Sequence, residues 1–253
     1  MQLTITIQLG DRPLTLPKDH HHIMYSVFVE LARDKYDLHE YGFRYGKRKY
    51  PLFTFGPIVG NSRKQTKNGK TMVTFTSEIS IEFRAWDSDL VETIKEKAIS
   101  EGVRFKNTIY QDVTCVVKDE AITSDYVIIE MISPICVYKT YEVDEGGKKH
   151  NKISYLKPFK PYIEEFENEV VQNFRRKYNA ATGREPDSNI VFETVKVDRR
   201  TDKVDTYYKN RAGMMCAYGG IYRLKGAPEY LTLLYNSGLG AKNSNGFGMF
   251  KVL

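Results

Sequence analysis

Apolar and polar residues alternate through Leu3, Thr4, Ile5, Thr6, Ile7, Gln8 and Leu9, the two-residue period of a half-buried strand. Turn-forming Gly10-Asp11-Arg12-Pro13 follows, and Ile23, Met24, Val27, Phe28 and Leu31 then recur at helical spacing. The pattern predicts a strand over residues 2–9 and a helix running to about residue 35, with Asp19 as its N-cap. Residues 51–59 and 71–83 read as paired strands around a basic loop, with Asn68-Gly69 as the turn signal. Asp87 is placed to cap a second helix with Leu90, Val91, Ile94 and Ala98 on its apolar face, and Gly102 to end it. Residues 105–117 are again strand-like, so the order is β-α-β-β-α-β.

The pattern restarts near residue 124. Residues 126–132 read as a strand that Pro134 ends, and Pro161 suits the first turn of a helix carrying Ile163, Phe166, Val170 and Phe174 on one face. Its charges follow the helix dipole, with Glu164, Glu165, Glu167 and Glu169 early and Arg175, Arg176 and Lys177 late. Strands are expected between 190 and 224, with a turn near Arg200-Thr201-Asp202. Pro228 opens a short helix with Leu231 and Leu234, Gly238 terminates it, and residues 246–252 form a final strand. The expected fold is therefore α+β, with two tandem ferredoxin-like domains over residues 1–120 and 124–253, joined near 118–125.

Composition narrows the class. No apolar run approaches the roughly 20 residues that span a bilayer, and the N-terminus lacks a basic-then-apolar leader pattern, so a cytoplasmic protein without a membrane partner is expected. Cys115, Cys136 and Cys216 are odd in number and widely spaced, which argues for free thiols over a disulfide framework or a zinc site. The net charge of +6 permits a polyanionic partner, and local clustering sharpens that reading. Arg44, Lys47, Arg48 and Lys49 fall within six residues, and Arg63, Lys64, Lys67 and Lys70 within eight. Solvated loops are the plain alternative for both clusters.

The most specific segment is Gly238-Leu239-Gly240-Ala241-Lys242-Asn243-Ser244-Asn245-Gly246-Phe247-Gly248, with four glycines in eleven residues. Gly238, Gly240, Gly246 and Gly248 permit positive φ and close backbone approach, so the loop is read as presenting amide N–H groups to phosphates. Lys242 adds charge, and Asn243 and Ser244 add hydrogen-bonding side chains. A tight helix-to-strand turn is the plain alternative. Neither a dinucleotide fingerprint nor a P-loop is present.

This segment resembles the C-terminal motif G-h-G-x-x-x-x-x-G-h-G (h apolar) of the repeat-associated RNA-binding (RAMP) superfamily. Leu38-His39-Glu40, Leu52-Phe53-Thr54-Phe55 and Ile132-Ser133-Pro134-Ile135 resemble positions of its endoribonuclease branch, which cleaves CRISPR repeats. The resemblance implies tandem ferredoxin-like domains and metal-independent, cofactor-free cleavage of CRISPR precursor RNA. The implied products carry 2′,3′-cyclic phosphate and 5′-hydroxyl ends. CRISPR repeat RNA is the implied partner and a CRISPR effector complex a further one, with monomer and homodimer both open.

His39 matches the family's catalytic histidine position, and histidine suits proton transfer near neutral pH. The family's lysine before the Leu-Phe-Thr strand is replaced here by Pro51, which leaves that role to Lys49 or Lys47, or unfilled. Its first-helix tyrosine position reads Val27-Phe28-Val29, and the nearest tyrosine is Tyr25. General acid and general base remain unassigned among these groups. The RNA surface is expected to combine Arg44 and Arg48, the loop bearing Arg63, Lys64, Lys67 and Lys70, the glycine segment, and Arg199 and Arg200. His20, His21 and His22 are read as helix-start residues and not as a metal set, because adjacent helical residues point apart. Two other readings fit the same residues: a non-catalytic RNA-binding subunit of an effector complex, and a phosphometabolite enzyme using the glycine loop as an anion site.

Overall fold

The computed structural model describes residues 1–146, 148–198, 204–208 and 211–253. In the first half the elements are β1 (Gln2–Gln8), β2 (Leu14–Pro17), α1 (His21–Ala32), β3 (Phe43–Tyr45), β4 (Arg48–Tyr50), β5 (Phe53–Phe55), β6 (Val59–Lys67), β7 (Lys70–Ala85), α2 (Ser88–Glu101), β8 (Val103–Phe105), β9 (Thr108–Tyr110) and β10 (Val113–Lys118). The long β7 organises the sheet: β1 and β2 pair along one edge, β5 and β6 along the other, and β10 pairs with β1. Every pairing is antiparallel. The inward positions Leu3, Ile5 and Ile7 of β1 meet the apolar faces of α1 and α2, and Phe28, Phe53, Phe55 and Phe83 cluster among them.

The sequence pattern places these elements well, with local corrections. Asp87 caps α2 by accepting the Asp89 N–H at 3.0 Å, and Gly102 closes it at φ 76°. Asp19 does not cap α1: the N-cap is His20, and the helix stops at Ala32, not near residue 35. The basic segment around Asn68-Gly69 is a β-hairpin and not a loop, because β6 runs to Lys67 and β7 restarts at Lys70.

The second half comprises β11 (Tyr126–Met131), β12 (Tyr138–Glu145), β13 (Lys148–Tyr155), α3 (Ile163–Thr182), β14 (Val191–Asp198), β15 (Val204–Tyr208), β16 (Arg211–Met215), β17 (Gly219–Lys225), α4 (Pro228–Ser237) and β18 (Phe250–Val252). Its sheet has the order β14-β17-β11-β18, and β12/β13 and β15/β16 form separate hairpins. Phe166, Phe192 and Tyr222 stack in its core beside Val170 and Phe174 of α3. Pro161 lies ahead of the Tyr162 N-cap instead of inside the first turn. Because α3 continues to Thr182, Arg175, Arg176 and Lys177 are not in its last turn and do not serve the dipole as expected. The final strand starts at Phe250, not at residue 246, since the glycine segment folds as a loop with a 3-10 turn at Asn243–Asn245. Arg199, Arg200 and the turn expected near Arg200-Thr201-Asp202 lie outside the described residues.

The two halves are fastened by buried and half-buried polar contacts. Arg84 of β7, only 2% exposed, donates to the Phe250 carbonyl at 2.7 Å, and its guanidinium lies 3.8 Å from the Tyr235 ring centroid. The Tyr235 hydroxyl lies within hydrogen-bonding distance of Gln2 Oε1 at 2.8 Å and Glu120 Oε2 at 2.9 Å. The Met1 ammonium donates to Ala85 O and Asn236 Oδ1 at 2.8 and 3.0 Å. The Phe250 carbonyl and the Asn236 amide oxygen of the second half thus find donors in the first, where an unpaired buried group would be unfavourable.

Candidate functional site

The segment after α1 turns tightly at residues 37–41. Asp37 Oδ1 accepts the His39 N–H at 3.0 Å, and Asp37 O accepts the N–H groups of Glu40 and Tyr41 at 3.0 and 2.7 Å. Leu38 is buried and anchors the turn, which leaves the His39 side chain exposed. From α1, the Tyr25 hydroxyl donates to Leu38 O at 3.1 Å and stands 3.4 Å from His39 Nδ1. The two rings meet edge to face with centroids 5.6 Å apart. From β4, Lys49 Nζ donates to Glu40 O at 2.8 Å and to Glu40 Oε2 at 2.6 Å. Tyr25, His39 and Lys49 therefore gather on one turn, while Lys47 sits in the β3–β4 turn. An imidazole, a phenol and an ammonium can together transfer protons and stabilise an anion.

Lys49 also borders a cleft of about 550 Å³ where the β3–β4 hairpin faces α3, β12 and the glycine loop. Arg48, Lys139, Arg176 and Lys242 bring positive charge to its walls. Lys139 pairs with Glu165 at 2.7 Å and Arg176 with Glu169. Lys242 Nζ stands 5.6 Å from the Tyr138 ring centroid. Sequence reading missed Lys139, Arg176 and Lys177 as cleft residues. A signal was present on α3, where Glu169, Asn173, Arg176 and Lys177 recur at helical spacing beside the apolar face.

Several amides of the glycine loop are taken up within the fold and do not face outward. Leu239 N donates to Gly248 O, Gly248 N to Pro134 O, Ala241 N to Cys136 O and Gly246 N to Asn243 O, at 2.7–2.9 Å. Gly238 N caps α4 through Leu234 O at 2.8 Å. The glycines are needed for close approach: a Cβ on Gly248 would lie 2.0 Å from Leu239 O, and one on Gly240 2.6 Å from Cys136 O. Asn243, expected to face RNA, is buried and turned inward, donating from Nδ2 to Leu239 O and Phe247 O at 2.9 Å each. Lys242 and Ser244 remain as half-buried side chains on the cleft wall.

The first half grips this loop from outside. Thr54 Oγ1 donates to Phe247 O at 3.0 Å, which joins two segments singled out in the sequence. His21 stacks on Phe247 with ring centroids 5.0 Å apart, and its Nδ1 lies 2.9 Å from Asn245 O. That acceptor calls for the Nδ1–H tautomer, and burial pushes the His21 pKa below its ordinary value. His20 Nδ1 instead lies 2.9 Å from Pro17 O, and His22 is exposed, so the three rings fan apart. Arg63, Lys64, Lys67 and Lys70 stand exposed on the β6–β7 arm and are not among the cleft-lining residues. Arg44 pairs with Lys49 in the β3–β4 register, on the hairpin that bears Arg48.

The family described as "CRISPR associated protein Cas6, C-terminal" matches residues 117–252. The CRISPR-associated endoribonuclease Cas6 1 of Methanocaldococcus jannaschii is 22% identical over 255 residues, covering 98% of this chain and 91% of the relative. A solved structure described as "An RAMP protein binding different RNA substrates" superposes with a TM-score of 0.74 at 19% identity, over 100% of this chain and 99% of the other. A Cas6-related protein from Pyrococcus furiosus gives 0.73 at 20% identity, over 100% and 98%. At these identities the likeness to solved structures is one of fold. Among the described residues, no helix is long and apolar enough to cross a membrane.

Proposed function

Because this chain belongs to the CRISPR-associated Cas6 family, we propose that it is a metal-independent endoribonuclease that cuts CRISPR repeat RNA in precursor transcripts. The carrying observation is the convergence of Tyr25, His39 and Lys49 on one turn. In this reading His39 performs one of the two proton transfers, at the 2′-hydroxyl nucleophile or the departing 5′-oxygen. The Tyr25 hydroxyl orients the imidazole, and Lys49 stabilises charge building on the phosphorane-like transition state. Lys49 fits that role better than Lys47 because its ammonium already reaches the residue after His39. The name of the Methanocaldococcus relative supports the same activity.

We read the chain as two ferredoxin-like domains, residues 1–120 and 124–253. The support is the shared strand order: in each sheet the first long strand lies between the third and the last. RNA would cross the cleft between the halves, contacting Arg44, Arg48, Lys242 and Ser244. The exposed arm would supply further phosphate contacts through Arg63, Lys64, Lys67 and Lys70.

The test is incubation with repeat RNA from the adjacent array in EDTA, with both product ends mapped. The expected result is one cut leaving a 2′,3′-cyclic phosphate and a 5′-hydroxyl. Tight binding of RNA that stays intact would instead assign the chain to a non-catalytic subunit of an effector complex. Neutralising Lys64 and Lys67 together should weaken binding and lower the log–log salt slope by roughly 0.7 per lost single-strand phosphate contact. An unaltered slope in a salt titration would place the arm away from the RNA.

A further inference from the structure

Lys177 is a lysine in a place that normally excludes one. It lies on the buried face of α3 with Val170, Phe174 and Tyr178 and is only 3% exposed. Its Nζ donates to Gly238 O at 2.6 Å and to Asn243 Oδ1 at 2.7 Å. The neighbouring charge that acts on it is another cation, Arg176. Burial therefore brings its pKa down to about 7, since desolvation disfavours the ammonium.

Those two bonds reach the two ends of the segment that carries Lys242. Gly238 is where α4 ends, and Asn243 begins the 3-10 turn directly after Lys242. Asn243 passes the constraint on through its amide to Leu239 O and Phe247 O. Lys242 itself is held at φ 61°, a conformation unfavourable for a residue with a side chain unless its surroundings enforce it. The Ala241 N–H, fixed on Cys136 O at 2.7 Å, completes the bracket.

We propose that Lys177 is a positioning residue for RNA binding, clamping Gly238 and Asn243 so that the Lys242 ammonium is held over the cleft beside Tyr138. The inference rests on the reading above that Lys242 contacts RNA phosphate. Lys177 makes no phosphate contact of its own; it acts through the loop.

The test is a double-mutant cycle between Lys177→Met and Lys242→Ala in the full chain. Binding of a fluorescent, 2′-O-methylated repeat RNA, which lacks the nucleophile for cleavage, is measured by anisotropy across salt concentrations. Lys242→Ala is expected to reduce the salt slope by roughly 0.7, the value of one single-strand phosphate contact. Lys177→Met should reduce it by a similar amount although its side chain is buried, and the double variant should lose nothing further. A merely structural role would lower the melting temperature and leave the slope unchanged. Lys177→Gln keeps N–H donors on a shorter stem and also stands in should the methionine variant fail to fold; its loss should be smaller and again less than additive with Lys242→Ala. Full additivity in either cycle, or a wild-type slope in the Lys177 variants, overturns the assignment. An unchanged slope in Lys242→Ala alone overturns the RNA contact first, and the positioning role with it.

Discussion

His39→Ala is expected to lower the single-turnover cleavage rate by about 10²–10⁴-fold, the usual worth of a general acid or base, while RNA affinity stays near that of the parent. The side chain is exposed, and the turn that carries it is held by other groups. Asp37 binds the main-chain N–H of residue 39 and Tyr25 binds the Leu38 carbonyl, and neither contact uses the imidazole. Removing the ring therefore leaves the turn and the adjacent Lys49–Glu40 pair in place. Rates with enzyme in excess over labelled repeat RNA, set beside anisotropy measurements, separate chemistry from binding. A parental rate would remove His39 from the mechanism. A joint collapse of rate and affinity would make it a binding residue.

The largest effect on stability is expected from Gly248→Ala. The added methyl would stand 2.0 Å from Leu239 O and 2.5 Å from Asn243 Nδ2, at a φ of +79°. Both atoms belong to the bonds that close the loop, so neither can withdraw without breaking one. The left-handed backbone costs about 1–2 kcal/mol, and overpacking adds about 1–3 kcal/mol. A loss of roughly 2–5 kcal/mol is therefore expected, a large share of the ~5–15 kcal/mol that holds a typical domain folded. Gly10→Ala is the matched control, because its φ is +56° but nothing lies within 4 Å of the new methyl. Urea melts should show the Gly248 variant several-fold more destabilised than the control. Equal shifts would mean that the loop yields, and that crowding is not what the glycine relieves.

Much of the secondary structure could be read from local pattern. Leu3, Ile5 and Ile7 alternate in the sequence and are fully buried in β1, and Met24, Val27, Phe28 and Leu31 form the inner stripe of α1. Asp87, Gly102, Pro228 and Gly238 mark helix ends where expected. The β12–β13 hairpin escaped notice because its strands are largely exposed, so no apolar alternation marks them. The basic stretch of β6, between the strands expected over 51–59 and 71–83, reads as a loop for the same reason.

The candidate site was legible in its parts and not in its arrangement. The resemblance singled out His39 and the glycine segment, and Tyr25 and Lys49 were named as partners by proximity in sequence. Only the folded chain decides that Tyr25 Oη comes within 3.4 Å of His39 while Lys49 reaches Glu40. Lys177 shows the limit most clearly, since its position on α3 predicts burial and its residue type predicts exposure. The glycines show it too: their spacing marks a special backbone, but not that the amides of Leu239, Ala241 and Gly248 bind Gly248, Cys136 and Pro134. Strand and helix period, caps and turns arise from interactions among residues a few positions apart, and these the sequence by itself determined. Which donors are already satisfied, which cation is buried and which side chains converge depends on partners remote in sequence, 193 residues apart in the Thr54–Phe247 bond. Those the tertiary structure alone decided, because hydrogen bonding and desolvation act through distance in space, not along the chain.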